Sequence, residues 1–264
     1  MLVKIKGLVV RDTVVNDTIR YISLLTEEHG KISVFIKNTA KYRRLWGLPT
    51  KVFSYSEFVL YESQGKYRFN EASLIESFFG LGQSFDALAL ASYIVSCAEY
   101  VTEEEQPDAG IFSLTLNTLW AITHLKDRDH RLIKGAFEMR LAGLCGFAPN
   151  VFYCAGCGSP PDGKTIFFDI MGGCVRCAAC ERKHEEGTYF ENNIRIDPMR
   201  TAQIILPLSE PTAAAIRYVL TCEPNMVFSF ALAESCIPEF RNTCERYLEN
   251  HLEHHFEALD MLDM

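Results

Sequence analysis

The chain has 264 residues, 48% of them hydrophobic and 23% charged, with ten cysteines and a formal net charge of −8. That is enough chain and enough apolar content for a packed core and one or two domains. No run approaches the roughly eighteen apolar residues of a spanning helix. Met1 to Lys6 alternate apolar residues with lysines and lack the features of a secretory signal, so a cytoplasmic location and no membrane partner are expected.

Residues 1–80 hold twelve Lys and Arg against eight Asp and Glu, a balance of +4; the remainder holds 14 against 26, a balance of −12. Short β runs are read at 3–10, 19–25, 31–37, 52–61 and 65–73, separated by polar or glycine turns such as Glu28-His29-Gly30. Five short strands in this span suit a small closed barrel, of which the OB-fold is the common nucleic-acid-binding form. Between Lys31 and Lys51 there are six basic residues and no acidic one, with Tyr42 and Trp46 interleaved. Positive charge releases counterions on binding phosphate, and exposed rings stack on unpaired bases. Lys37, Lys41, Arg43, Arg44 and Lys51 are therefore the candidate phosphate contacts, with Tyr42 or Trp46 stacking. The plainer alternatives are a solvated turn, and a Trp46 that plugs the barrel end.

After Gly82 the period becomes helical. Phe85, Leu88, Ala91, Val95 and Ala98 mark a first helix, ending before the acidic run of residues 103–105 and Pro107. Phe112, Leu116, Leu119 and Thr123 mark a second helix; Leu132, Ala136, Phe137, Leu141 and Leu144 mark a third, ending near Gly146 and Pro149. Ser209-Glu210-Pro211 reads as a later helix start. A long final helix is expected to carry Ile237, Phe240, Cys244, Tyr247, Leu248, His251, His255 and Leu259 on one stripe. His251 and His255, four apart with Glu249 and Glu253 around them, read as a solvated or half-buried face rather than a metal pair.

Five cysteines fall between 154 and 180; Cys97, Cys145, Cys222, Cys236 and Cys244 lie singly in helical segments and read as core. Cys154-Ala-Gly-Cys157 is one C-x-x-C knuckle, and Cys174-Val-Arg-Cys177-Ala-Ala-Cys180 contains two overlapping ones. Either pairing fits a four-cysteine zinc site, with nineteen residues between Cys157 and Cys177 or sixteen between Cys157 and Cys174. Two thiolates two residues apart grip one edge of a tetrahedron, and two knuckles complete it. Cys154, Cys157, Cys177 and Cys180 are the preferred set, with Cys174 as the alternative ligand and His184 as a further candidate. A closed thiolate shell implies structural Zn2+.

With these residues in view, the chain resembles the bacterial recombination mediator family RecO. The carrying segments are Gly7-Leu-Val-Val-Arg11, Leu24-Leu-Thr-Glu-Glu-His-Gly-Lys-Ile-Ser33, Phe137-Glu-Met-Arg-Leu141, Gly146-Phe-Ala-Pro149, Cys154-Ala-Gly-Cys-Gly158, Gly172-Gly173 before a C-x-x-C, and Phe228-Ser-Phe to Tyr247-Leu-Glu-Asn-His251. In that family the third zinc cysteine usually stands three residues after the glycine pair, so a one-residue insertion aligns Cys177 and Cys180. The basic stretch Thr39-Ala-Lys-Tyr-Arg-Arg44 is less rich in arginine and glycine than is common there.

The resemblance implies an α+β chain: an OB-fold β-barrel over 1–80, then a helical domain over 81–264 with a zinc module at about 150–190. It implies a mediator of DNA repair and homologous recombination that binds single- and double-stranded DNA and anneals complementary strands. With RecR, such a protein assists RecA loading onto DNA coated by SSB, and it recognises the acidic SSB C-terminal tail. Lys126, Arg128, Arg131 and Lys134, the basic cluster of the acidic part, are the candidates for that tail, against the plainer reading of an exposed helix start. There is no P-loop, dinucleotide fingerprint, H-E-x-x-H or G-x-S-x-G, so no enzyme chemistry is expected. The alternatives are a zinc-containing adaptor that binds proteins and no DNA, and more remotely a zinc nuclease or deaminase.

Overall fold

The computed structural model describes residues 1–37, 40, 47–161, 165–185, 190–191, 194–195 and 204–262. They form two compact units, Met1–Asp127 with Phe256–Met264, and Arg128–His255.

The first unit begins with β1 (Leu2–Val14), β2 (Ile19–Thr26), β3 (Gly30–Lys37), β4 (Tyr55–Ser63) and β5 (Lys66–Glu76). β1 is long enough to serve two neighbours: its first half pairs with β4 from Leu2↔Tyr61 to Leu8↔Tyr55, its second with β2 from Gly7↔Thr26 to Val14↔Arg20. A bulge between Val9 and Arg11 turns the strand from one partner to the other. With β3 and β5 joined in parallel, the sheet closes in the order β1-β2-β3-β5-β4, an OB-like barrel. Inside lie Ile5, Val9, Ile22, Leu24, Ile32, Val34, Ile36, Phe58, Leu60 and Phe69, the alternate residues of each strand. The fourth strand starts at Tyr55, later than residue 52, because the chain turns first. Phe53 has φ +70° and donates its N–H to the Val9 carbonyl at 2.9 Å.

Two helices of this unit follow, α1 (Phe85–Val101) and α2 (Ala109–His124), capped by the side chains of Ser84 and Asp108. They contact β1 and β2 and pack on each other. Phe85 and Leu88, expected on the buried face, are exposed; the buried set is centred on Leu90, Tyr93, Ile94 and Cys97. Between the helices, residues 103–105 lie against the start of β3: the Lys31 N–H donates to the Glu103 carbonyl and the Glu105 N–H to the Lys31 carbonyl, both at 3.3 Å. Gly30 makes that seat possible, since it has φ +64° and a Cβ there would run into the Gln106 backbone.

The second unit contains α3 (His130–Leu144), β6 (Asn150–Cys154), β7 (Thr165–Asp169), β8 (Cys174–Cys177), α4 (Ala178–Glu185), a ribbon of β9 (Phe190–Glu191) and β10 (Ile194–Arg195), then β11 (Ile205–Ser209), α5 (Glu210–Thr221) and α6 (Ile237–Leu252). Its main sheet has the order β11-β7-β8-β6. α3 packs closely on α6, and a Cβ on Gly135 would stand only 2.6 Å from Phe240 Cε1. Arg140 of α3 donates to the carbonyls of Val219 and Leu220 at 3.1 and 2.8 Å, closing the end of α5. The expected single final helix is corrected here. α6 stops at Leu252 because Glu253 adopts φ 50°, so His255 and Leu259 leave the stripe. The chain then re-enters the first unit, where α7 (Glu257–Asp260) follows Phe256, whose ring meets Tyr93 and Tyr100 edge-on at 5.7 and 5.6 Å. No described helix is long and apolar enough to cross a membrane.

Gly30→Ala combines a left-handed backbone with a backbone clash and should lower unfolding stability by about 2–4 kcal/mol in urea denaturation. An unchanged midpoint would mean that residues 103–106 do not depend on their seat against β3.

Candidate metal centre and nucleic-acid interface

β6 delivers Cys154 into a tight turn in which the Gly158 N–H donates to the Cys154 carbonyl at 2.8 Å, with Gly158 at φ +72°. That turn folds Cys157 back beside Cys154. Facing it, β7 and β8 form a hairpin whose bend is Gly172 and Gly173; the Gly172 N–H donates to Asp169 Oδ1 at 2.9 Å and Gly173 has φ +58°. Cys177 closes β8 and Cys180 lies in the opening turn of α4. The sulfurs of Cys154, Cys157, Cys177 and Cys180 all lie within 4.8 Å of one another. A tetrahedral ion bound at about 2.3 Å needs roughly 3.8 Å between sulfurs, so this donor set fits one. Cys174 is outside the group: three residues before Cys177 on one strand, it projects from the other face. His184, buried on α4, is outside it too.

Burial opposes ionisation of Cys154, but the backbone N–H groups of Cys177, Cys157 and Gly156 outweigh it and bring the thiol down to about 7. Two of these donors stand at 3.3 Å (Cys177) and 3.4 Å (Gly156) from the Cys154 sulfur. Cys180 is pushed up, first by burial and then by the neighbouring Cys177 and Cys154 sulfurs. The Cys154 thiolate therefore forms readily, whereas that of Cys180 requires an incoming cation. In the same module Arg176 of β8 stands 3.5 Å from both Asp169 of β7 and Glu181 of α4, all three buried. This triad ties together the elements that carry Cys177 and Cys180. It is not legible in the sequence, because a lone arginine between two cysteines carries no periodic signal.

The helical cations are dispersed in role. Lys134 is buried on α3, its ammonium 2.6 Å from both Glu138 and Glu245. Burial works against its charge, yet the two carboxylates outweigh it and raise its pKa. Its contribution to stability is therefore present below the ordinary lysine pKa and disappears only as pH rises through the raised folded value. Arg131 pairs with Asp129 at 2.6 Å and Glu234 at 2.7 Å. Arg128 lies 4.8 Å from the Phe230 ring centroid, with Nε and Nη2 buried and unpartnered among the described residues. Lys126 is exposed. His251 Nε2 donates to the Ile170 carbonyl at 3.0 Å and the ring stacks on Phe147, whereas His255 pairs with Glu249 at 2.8 Å; the two do not converge.

On the barrel, Lys37 ends β3 and Lys51 sits in the turn before β4, both exposed. Lys41, Tyr42, Arg43, Arg44 and Trp46 lie outside the described residues. The outer surface of β2, β3, β5 and β4 forms a groove of about 670 Å³ whose lining includes Tyr21, Phe35, Tyr61 and Arg68. None of these four figured among the sequence candidates. Alternation could have placed them outside, but only strand register puts them together.

Residues 1–78 match the family model "Recombination protein O N terminal" and residues 82–192 match "Recombination protein O C terminal". The chain is similar along 98% of its length to a DNA repair protein RecO of Acetivibrio thermocellus, at 27% identity and 95% coverage of that relative. It is similar over its full length to one from Bacillus subtilis, at 25% identity and 94% coverage. A third, from Alkaliphilus metalliredigens, is 30% identical over 183 residues, covering 68% of this chain and 72% of the relative.

In metal analysis of purified protein, Cys177→Ser should lose its equivalent of bound metal while Cys174→Ser keeps it; equal loss from both would place Cys174 in the shell. Lys134→Met should cost about 3–5 kcal/mol in urea unfolding, because Glu138 keeps its burial and loses its lysine. A neutral effect would mean that Glu138 is protonated.

Proposed function

From the premise that this chain belongs to the RecO family of DNA repair proteins, we propose that it is a mediator of homologous recombination that binds DNA and performs no covalent chemistry. It binds single- and double-stranded DNA through the barrel and anneals complementary strands. With RecR it assists RecA loading onto SSB-coated DNA. The observation that carries this reading is the closed OB-order barrel with exposed Lys37 and Lys51 at either end of an acid-free stretch of sequence. A phosphate backbone is attracted to such a stretch despite the net charge of −8, because interactions beyond roughly 10 Å are screened by salt.

The ion held by Cys154, Cys157, Cys177 and Cys180 is Zn2+ with a structural role. Four thiolates favour zinc and leave no open position for a reacting water. The SSB tail, acidic with an apolar end, is met by Arg128 beside Phe230, which combines a half-buried guanidinium with an apolar ring. Arg131 and Lys134 contribute less, because both already pair with carboxylates. The protein works in the cytoplasm, at the nucleoid.

Binding to a fluorescent single-stranded oligonucleotide across a salt series tests the DNA-binding core of this reading. Four phosphate contacts should give a slope of log affinity against log salt of about −3. Replacing Lys41, Arg43 and Arg44 by alanine should flatten that slope and weaken binding regardless of sequence. A slope unchanged in the triple variant would move the phosphate contacts elsewhere. Absence of binding by folded, metal-loaded protein would leave a zinc-containing adaptor as the function.

A further inference from the structure

The barrel carries a second feature suited to nucleic acid, separate from the basic stretch of sequence. Register aligns one residue from each of four adjacent strands in a single row: Tyr21 of β2 opposes Phe35 of β3, Phe35 opposes Arg68 of β5, and Arg68 opposes Tyr61 of β4. Their sequence neighbours Ile22, Val34, Phe69 and Leu60 fill the barrel, so alternation turns the row outward. Tyr21 is 41% and Tyr61 50% exposed. The rings of Tyr21 and Phe35 meet edge-on at 5.6 Å, and the Arg68 guanidinium lies 5.9 Å from the Tyr61 ring centroid. Cross-strand packing explains why these residues tolerate one another. It does not require half of each tyrosine to face an open groove of about 670 Å³.

Charge along β3 gives this groove a direction. At its start, the backbone pairing of residues 103–105 brings Glu104 and Glu105 to one end of the groove, and the Lys31 ammonium is engaged by the Glu99 carbonyl at 2.9 Å. At its finish, about 20 Å further along an extended strand, Lys37 is exposed. Arg68 of the row and Lys66, two residues before it on β5, are exposed as well. An anionic chain is thus favoured towards the Lys37 end and repelled at the Glu104 end.

We propose that this groove is a base-stacking site for single-stranded nucleic acid, in which Tyr21 and Tyr61 stack unpaired bases and Arg68, Lys66 and Lys37 accompany the backbone. The assignment rests on the DNA-binding reading above and adds to it the choice of strand type. Unpaired bases offer their faces to the rings, whereas a duplex keeps those faces covered by its own stacking.

The test uses the full chain, a fluorescent thymidine oligonucleotide and a duplex of equal length. Tyr21→Thr with Tyr61→Thr replaces both rings by a strand-favouring, β-branched residue, so the barrel is retained. Single-strand affinity should fall at least about tenfold, with the salt slope and the duplex affinity unchanged. As a separate readout, Tyr61→Trp should show added indole fluorescence that is quenched when the oligonucleotide binds. Unchanged single-strand affinity in the threonine pair, equal losses on single strand and duplex, or an unquenched indole signal in a bound complex of the Tyr61→Trp variant would each overturn the stacking site while leaving DNA binding in place. Wild-type protein that binds neither probe would overturn both readings together.

Discussion

Closure of the five-stranded sheet is the constraint on which the first unit depends. β1 must satisfy β2 along one half and β4 along the other, and its bulge at Val9/Arg11 lets a single strand do both. Once the sheet is closed no free edge remains, and every strand has one inward and one outward set of side chains. Ten apolar residues take the interior. The positions between them then face out, and the register of four strands collects Tyr21, Phe35, Arg68 and Tyr61 into one row. The groove is therefore a by-product of the same pairing that builds the core.

The cysteine module answers a similar demand with less apolar material. Its strands are four or five residues long, and the polypeptide must hold four sulfurs within 4.8 Å. Two devices do this. Left-handed glycines at 158 and 173 make the bends, and the buried Arg176 joins Asp169 and Glu181 across three elements. A buried cation flanked by two carboxylates is a weak source of net stability but a strong specifier of arrangement, since removing one partner leaves a charge in a dry site. A bound ion would add the largest share of the free energy holding the knuckles together.

Cations in this protein differ by what stands beside them rather than by type. Lys134, Arg131 and Arg176 face carboxylates within their own unit and hold the fold. Lys37, Lys51 and Lys66 are exposed on the barrel unit, where positive charge remains available to a ligand. This division reconciles a net charge of −8 with a DNA-binding reading, because most of the acid belongs to the helical sequence and part of it is neutralised in place.

Much was legible in the sequence by itself. Period-two alternation located all five barrel strands, since an inward apolar set is a local pattern; C-x-x-C spacing located both knuckles, since bidentate gripping depends on neighbours in sequence; and the charge map separated a basic start from an acidic remainder. Other features had no local signature. Phe85 and Leu88 match a helical stripe yet face solvent, because the face a helix buries is chosen by its partner. The final helix breaks at Glu253, a residue that gives no stop signal. Cys174 and Cys177 are equivalent as spacing, and only the strand, by turning them to opposite faces, puts one among the sulfurs. Lys134 reads as a surface cation until Glu245, far along the chain, closes over it. The sequence by itself determined which residues alternate, turn and stand as paired cysteines, because those depend on neighbours a few positions apart. Tertiary structure alone decided which side chains from distant strands and helices meet, because register and packing are properties of the closed whole.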